Sequence, residues 1–280
     1  MGIESRLSRR ELLRQGAAAK GIAIGLDSAA SPTLVHDQPG NFRFLRGIAP
    51  YSSGAVADPG YEVVHVTLAP APPYRKGFEA VDRRLKQQGR PPQALCGIEL
   101  RSPRPFTFSG FNAFNQPYVE RLKERNLLLD GLNPVARTNV APEVGPPSEV
   151  VLYGFSYTMP STTAKPTFVV AGAGELTGER LDARDIVRRG DVSPEGLHAK
   201  ASHVLGLMDQ RLRGLGVEWR HVTVVEVYTV HSFSGLMRDL LLPRIGGAGI
   251  HGIRWHFARP PIEEIEFEMD VRGCARELVL

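Results

Sequence analysis

From residue 41 onward the apolar positions fall into short runs of two alternating kinds, one with the period of a strand and one with the period of a helix. Residues 61–68, Tyr-Glu-Val-Val-His-Val-Thr-Leu, are rich in β-branched side chains and read as a strand, which the prolines between Pro70 and Pro73 end. Phe78, Val81 and Leu85 then recur at helical spacing and predict a helix over 76–88, stopped by Gly89-Arg-Pro-Pro. A strand over 94–100 follows. Phe114, Tyr118, Val119 and Leu122 mark one side of a helix over 111–125, and two strands, 136–140 and 150–157, close this part of the chain.

A polar, proline-flanked stretch, 159–166, reads as a linker. Beyond it the order returns: a strand over 167–171, a loop over 174–191, and a helix that opens at Ser193-Pro194-Glu195 and runs to about Leu215. A strand over 222–229, a helix over 232–242 and two strands, 252–257 and 264–271, complete it. Strand, helix, strand, helix, strand, strand occurs twice. This predicts an α+β fold of two tandem modules, 41–158 and 167–280, behind an N-terminal extension over 1–40.

The composition narrows the classes of function. In 280 residues the hydrophobic share is 42% and the charged share 23%, ordinary for a folded protein. The net charge of +4 comes from scattered arginines with no basic stripe interleaved with aromatics, so no nucleic-acid partner is expected. An arginine-rich surface does suit small carboxylate-bearing molecules, which the guanidinium fork holds in two parallel hydrogen bonds. No apolar run approaches the roughly 18 residues that span a bilayer, and no membrane association is expected. Cys96 and Cys274 lack the spacing of a zinc site or a disulfide framework and read as buried thiols. In the extension, Ser8-Arg9-Arg10-Glu11-Leu12-Leu13 followed by a weakly apolar stretch looks like a twin-arginine export signal, which Lys20 interrupts. Periplasmic export and a cytoplasmic protein with an amphipathic extension are both open.

Three ordered motifs carry a family resemblance. Arg46-Gly-Ile-Ala-Pro-Tyr-Ser-Ser-Gly-Ala-Val56 resembles the opening hairpin of the reactive intermediate deaminase (RidA/YjgF-like) family, with one extra residue between Ser52 and Ala55. Phe111-Asn-Ala-Phe-Asn-Gln-Pro-Tyr118 is similar to that family's F-x-x-x-N-x-x-Y helix, and Asn133-Pro-Val-Ala-Arg-Thr138 to its P-A-R-[ST] strand, with Val135 inserted. In the second half, 216–228 resembles the family's helix-to-strand junction and Glu264-Ile265-Glu266 its closing strand. The resemblance implies chorismate-mutase-like α+β barrel modules, a homotrimer with clefts between modules, no metal or organic cofactor, and hydrolytic deamination of a small imine or enamine acid such as a 2-aminomuconate-type compound. A chorismatase-like enol-ether hydrolase and a non-catalytic carboxylate-binding protein are the alternatives.

By that resemblance Arg137 would hold the substrate carboxylate, with Tyr51 and Asn115 shaping the cleft. Asn139, two positions after Arg137, and Arg254, the nearest second-module counterpart of the arginine, are further candidates for substrate contact. The strand over 150–157 holds no glutamate in register to position water, whereas Glu264 matches that position in the second module, so a composite cleft is expected. The competing reading makes Glu263, Glu264, Glu266, Glu268 and Asp270 the outward charges of an edge strand. Histidines 203, 221, 231, 251 and 256 lack metal-ligand spacing, and Gly172-Ala-Gly174 lacks the third glycine of a nucleotide loop. That glycine pair reads instead as a strand end where backbone approaches a ligand or subunit.

Overall fold

The computed structural model describes residues 34–178 and 181–280, so the twin-arginine-like segment lies outside the described residues. The strands are β1 (Leu34–Asp37), β2 (Phe42–Leu45), β3 (Gly54–Ala57), β4 (Tyr61–Thr67), β5 (Leu95–Arg101), β6 (Ala136–Pro142), β7 (Val151–Pro160), β8 (Phe168–Gly174), β9 (Val224–Tyr228), β10 (Arg254–His256), β11 (Ala258–Arg259), β12 (Glu268–Gly273) and β13 (Arg276–Val279). The main helices are α1 (Tyr74–Gln87), α2 (Phe108–Lys123) and α3 (Pro194–Gly214). Residues 234–251 form a chain of short helical turns.

Local chemistry accounts for the helix limits. Thr107 caps α2 by accepting a hydrogen bond from the Gly110 amide at 3.0 Å, and Ser193 caps α3 through the Gly196 amide at 3.1 Å. Pro194 fills the first turn of α3, where its missing N–H costs nothing. Arg84 and Lys86 end α1 with the charge that its dipole favours. The expected helix over 232–242 is broken into turns, with a wide π turn over Met237–Leu241 just before Pro243, which has no N–H to continue an α ladder.

Among the described residues thirteen strands make two sheets, ordered β1-β2-β3-β8-β12-β9-β10 and β11-β6-β5-β7-β4-β13. The block β6-β5-β7-β4 in one sheet has the order of β10-β9-β12-β8 in the other. In each block the first pair is parallel and the other two are antiparallel. The halves also exchange strands. β3, from the first half, extends the second-half block by pairing with β8, and β13, from the second half, extends the first-half block by pairing with β4. The linker expected over 159–166 is shorter than predicted, because β7 continues through Pro160 opposite Tyr61.

Helices cover the outer face of each sheet. Phe78, Val81 and Leu85 of α1 and Tyr118 and Leu122 of α2 pack on Val64, Val66, Leu100, Leu152 and Phe155. Val204, Leu205, Met208 and Leu212 of α3 pack on Val170, Val225, Val227, Met269 and Val271. Each such side chain removed from water contributes about 1.5–3 kcal/mol. Between the sheets a smaller apolar core, including Phe44, Val63, Cys96, Ala136, Val169 and Cys274, adjoins charged groups. Both cysteines there are free.

The acidic stretch near the end of the chain does not form an edge strand. β12 lies between β8 and β9, and its residues alternate: Met269 and Val271 face the α3 side, while Asp270 and Arg272 reach Thr138 and Glu99 of the opposite sheet. The strand also starts later than predicted. Residues 260–266 are a turn, with the Ile265 amide bonded to the Ile262 carbonyl and Glu264 in the left-handed region at φ 70°. Among the described residues no helix is long and apolar enough to cross a membrane.

Candidate active site

β3 stops pairing with β8 at the Gly54–Val170 step, and the chain before it, 46–53, leaves the sheet as a bulging hairpin. Between that hairpin, the ends of β6, β8 and β12, and α3 lies a cavity of about 900 Å³. Its volume is that of a small-molecule site. Tyr51, Arg137, Asn139, Gly172, Arg211 and Glu268 are among the side chains and backbone that line it.

Arg137 enters from β6 and is only 2% exposed. Its Nη2 donates to Asn115 Oδ1 at 2.8 Å, and four aromatic rings surround the guanidinium: Tyr118 at 4.6 Å, Tyr51 at 4.7 Å, Phe111 at 5.3 Å and Phe114 at 5.9 Å. Ring faces stabilise the cation without neutralising it. No carboxylate forms an ion pair with Arg137 among the described residues. Nη1 has no partner of hydrogen-bonding geometry, although the guanidinium feels the nearby Tyr118 hydroxyl, and burial lowers the arginine's pKa. The geometry leaves a planar donor available to a ligand's carboxylate.

Glu268 approaches the same cavity from β12. It is 4% exposed, and a Cβ placed on Gly172 would overlap its Oε1, so the carboxyl packs against bare backbone. Burial raises its pKa well above the ordinary carboxylate value, and the neighbouring Asp270 and Glu175 raise it further against the pull of Arg211 and Arg137. A carboxyl whose pKa is raised in this way is suited to both giving and taking a proton during a reaction. Glu175 is itself placed by a buried ion pair with Lys200 at 3.0 Å, and it accepts the Glu266 and Phe267 amides at 2.7 and 3.1 Å, which anchors the start of β12.

Tyr51 and Asn139, both expected near a ligand, line this cavity. Asn139 accepts from the Ser102 hydroxyl at 2.9 Å and has an unpartnered Nδ2. Asn115 sits behind Arg137 as its hydrogen-bond partner. Glu264 is a correction. Its left-handed turn takes it off β12, its side chain is 46% exposed, and it forms a two-pronged pair with Arg189 at 2.7 and 2.8 Å. Arg254 is a second correction, because β10 carries it away from the cavity to Glu226 and Glu277, at 3.3 and 2.9 Å. The glutamate that does reach the cavity is Glu268, one helical turn's worth of sequence beyond Glu264. Its signal was the alternation Glu268, Met269, Asp270, Val271, Arg272, read as an edge pattern. Arg211 had no local signal.

A family model described as 2-aminomuconate deaminase CnbZ matches residues 34–278. A 2-amino-5-chloromuconate deaminase from Comamonas testosteroni is 40% identical over 252 residues, spanning 89% of this chain and 100% of that protein. Among solved structures, a chorismatase aligns with a TM-score of 0.46 at 14% identity, covering 87% of this chain and 80% of that one. A cyanuric acid hydrolase aligns at 0.34 and 8% identity, covering 78% and 69%. With the family model matching nearly all of the described chain and a relative of this identity matched along its whole length, the chain belongs to the 2-aminomuconate deaminase CnbZ family.

Proposed function

We propose that the chain is a hydrolytic deaminase of a 2-aminomuconate-type enamine, with Arg137 holding the carboxylate next to the amino-bearing carbon and Glu268 moving the protons. The observation that carries this reading is the pairing, in one cavity, of a buried arginine without a carboxylate partner and a buried carboxyl whose pKa its surroundings raise. The family's description and the relative's name point to the same chemistry.

The reaction balances with one water consumed and one ammonia released. Protonated Glu268 delivers its proton to the enamine carbon, and the double bond moves to C=N, leaving an iminium and a Glu268 carboxylate. That carboxylate takes a proton from the water whose oxygen adds to the iminium carbon. The proton then passes to the nitrogen. As the C–N bond breaks, ammonia departs and the new hydroxyl returns its proton to Glu268, giving a 2-oxo acid and the starting enzyme. Arg137 stays bound to the adjacent carboxylate throughout, and the Tyr51 hydroxyl and the free Asn139 amide offer polar contacts to the amino group or the water. General acid-base assistance of this kind is worth about 10²- to 10⁴-fold.

The same reading takes the two halves as tandem RidA-like modules, supported by the repeated strand order and by the three motifs of the first half. A trimer belongs to that resemblance and is checked by the mass of the protein in solution.

The deciding experiment follows ammonia and 2-oxo acid together from freshly generated 2-aminomuconate, with wild type and Glu268→Gln. Wild-type release, reduced about 10²- to 10⁴-fold in the variant, supports the reading. Release no faster than spontaneous hydrolysis overturns it.

A further inference from the structure

The proposed chemistry needs one guanidinium, yet two more arginines line the cavity, Arg46 at its exposed rim and Arg211 at its other wall. Arg211 projects from α3 through the space left where β3 parts from β8. There its Nη1 donates to the carbonyls of Ala171 and Gly172, at 2.7 and 3.3 Å. Those two bonds are its only polar contacts among the described residues, and no carboxylate lies within ion-pair distance. Gly172 ties the geometry together: Arg211 holds its carbonyl, Glu268 packs on its Cα side, and Thr138, the residue after Arg137, would also touch a Cβ placed there.

The charge count is therefore unbalanced. Arg137 and Arg211, with Arg46 at the exposed rim, line one cavity whose lining includes a single acidic side chain, Glu268, which forms no ion pair with any of them and whose pKa burial raises. Two partly desolvated cations without a counter-ion are unfavourable, and a monocarboxylate would relieve only one of them. A linear dianion would relieve both.

We propose that Arg211 is the specificity-determining residue of this site, binding the far carboxylate of an extended dicarboxylate whose near carboxylate, beside the amino group, is held by Arg137. The inference rests on the deaminase reading for the identity of the near end, but the pairing of Arg137 with Arg211 can be tested without turnover. Arg211 touches no reacting atom in this arrangement. It selects substrates by length and charge, and Glu268 lies between the two anchors.

The test compares wild type, Arg211→Gln and Arg211→Lys in two measurements. In the first, calorimetric binding is measured for muconate and for sorbate, which share a six-carbon diene and differ by one carboxylate. Wild type is expected to bind muconate about 10- to 100-fold more tightly than sorbate, the worth of one charge-assisted contact. Arg211→Gln should remove that preference while leaving sorbate affinity unchanged, and Arg211→Lys should restore part of it. In the second, the ratio of kcat/KM for 2-aminomuconate to kcat/KM for a monocarboxylic 2-imino acid should fall by about the same factor in Arg211→Gln, chiefly through KM for 2-aminomuconate. Equal affinity of wild type for muconate and sorbate, or equal losses on both ligands in Arg211→Gln, overturns the proposal. If wild type prefers muconate but releases no ammonia from any substrate, the deaminase reading fails and the dicarboxylate site stands. Retained sorbate binding by the glutamine variant shows that it is folded.

Discussion

Arg137 Nη2 donates to Asn115 Oδ1 at 2.8 Å, and this one hydrogen bond between a strand and a helix decides which edge of the guanidinium is left for a ligand. Without it the arginine could turn within its ring of aromatics. Asn115→Ala is expected to raise KM about 10-fold with a smaller change in kcat, because it leaves a buried N–H unpartnered and the fork free to swing. Arg137→Lys should be worse, since an ammonium cannot present a planar fork or stack on four rings. Steady-state kinetics on the two variants checks the order, and a lysine variant with wild-type KM contradicts it.

Glu268 predicts a pH signature in stability. Below an ordinary carboxylate pKa of about 4.3, it is protonated in both folded and unfolded chains and has no effect. As the pH rises above that value, the unfolded chain releases the proton while the folded one keeps it, so wild type loses stability until the raised folded pKa is reached. Glu268→Gln escapes this loss. Its melting temperature should match wild type near pH 4, exceed it increasingly as the pH rises, and hold a constant lead once the raised folded pKa is passed. A gap that does not vary with pH would contradict a protonated Glu268.

Gly172 is required for space rather than for an unusual backbone. A methyl group there would overlap Glu268 Oε1 and press on Thr138. Gly172→Ala should lower kcat by at least about 10-fold and cost about 1–3 kcal/mol in denaturant unfolding, the usual range for overpacking. Wild-type activity in that variant would mean that Glu268 can move aside without consequence.

The fully buried Lys200–Glu175 pair holds the start of β12, and burial raises the Glu175 pKa. Removing the lysine leaves a buried carboxylate whose charge is met only by the Glu266 and Phe267 amides. Lys200→Met alone should cost about 3–5 kcal/mol, and the double variant Lys200→Met with Glu175→Gln should recover a large part of it. Equal losses in the single and double variants would show that the pair is not coupled.

Glu264→Ala is the contrasting control. Its partner Arg189 is solvent-exposed and the pair lies outside the cavity, so kcat and KM should stay within about twofold of wild type and the melting temperature should not shift. A large fall in kcat would return Glu264 to the chemistry.

The elements of both halves were legible because their signals are local: periodic Phe78, Val81 and Leu85, the cap at Ser193, and the β-branched run of β4. Tyr51 and Arg137 lie in contiguous motifs, and both line the cavity together with Asn139, the residue just past the second motif. Glu268 was not, since an alternating acidic run looks the same at an edge as at the centre of a sheet. Only the pairing of β12 with both β8 and β9 decides it. The turn that removes Glu264 is equally hidden, because a left-handed glutamate has no compositional mark. Arg211 becomes a site residue only because β3 ends where it does. β1, β2 and β13 were missed as strands because each is only four residues long; β1 and β2 pair locally, with each other and with β3, whereas the partner of β13 is the distant β4.

The reciprocal loan of β3 and β13 bears on how this protein can be divided. Cutting the chain after β7 would leave the first fragment with the β4 edge bare and Arg137 without Glu268 or Arg211. The second fragment would keep those two residues beside a bare β8 edge. Neither piece carries a working site, and each exposes a ready template for strand pairing with other chains. The two halves are therefore expected to fold as one unit, each supplying an edge that the other lacks.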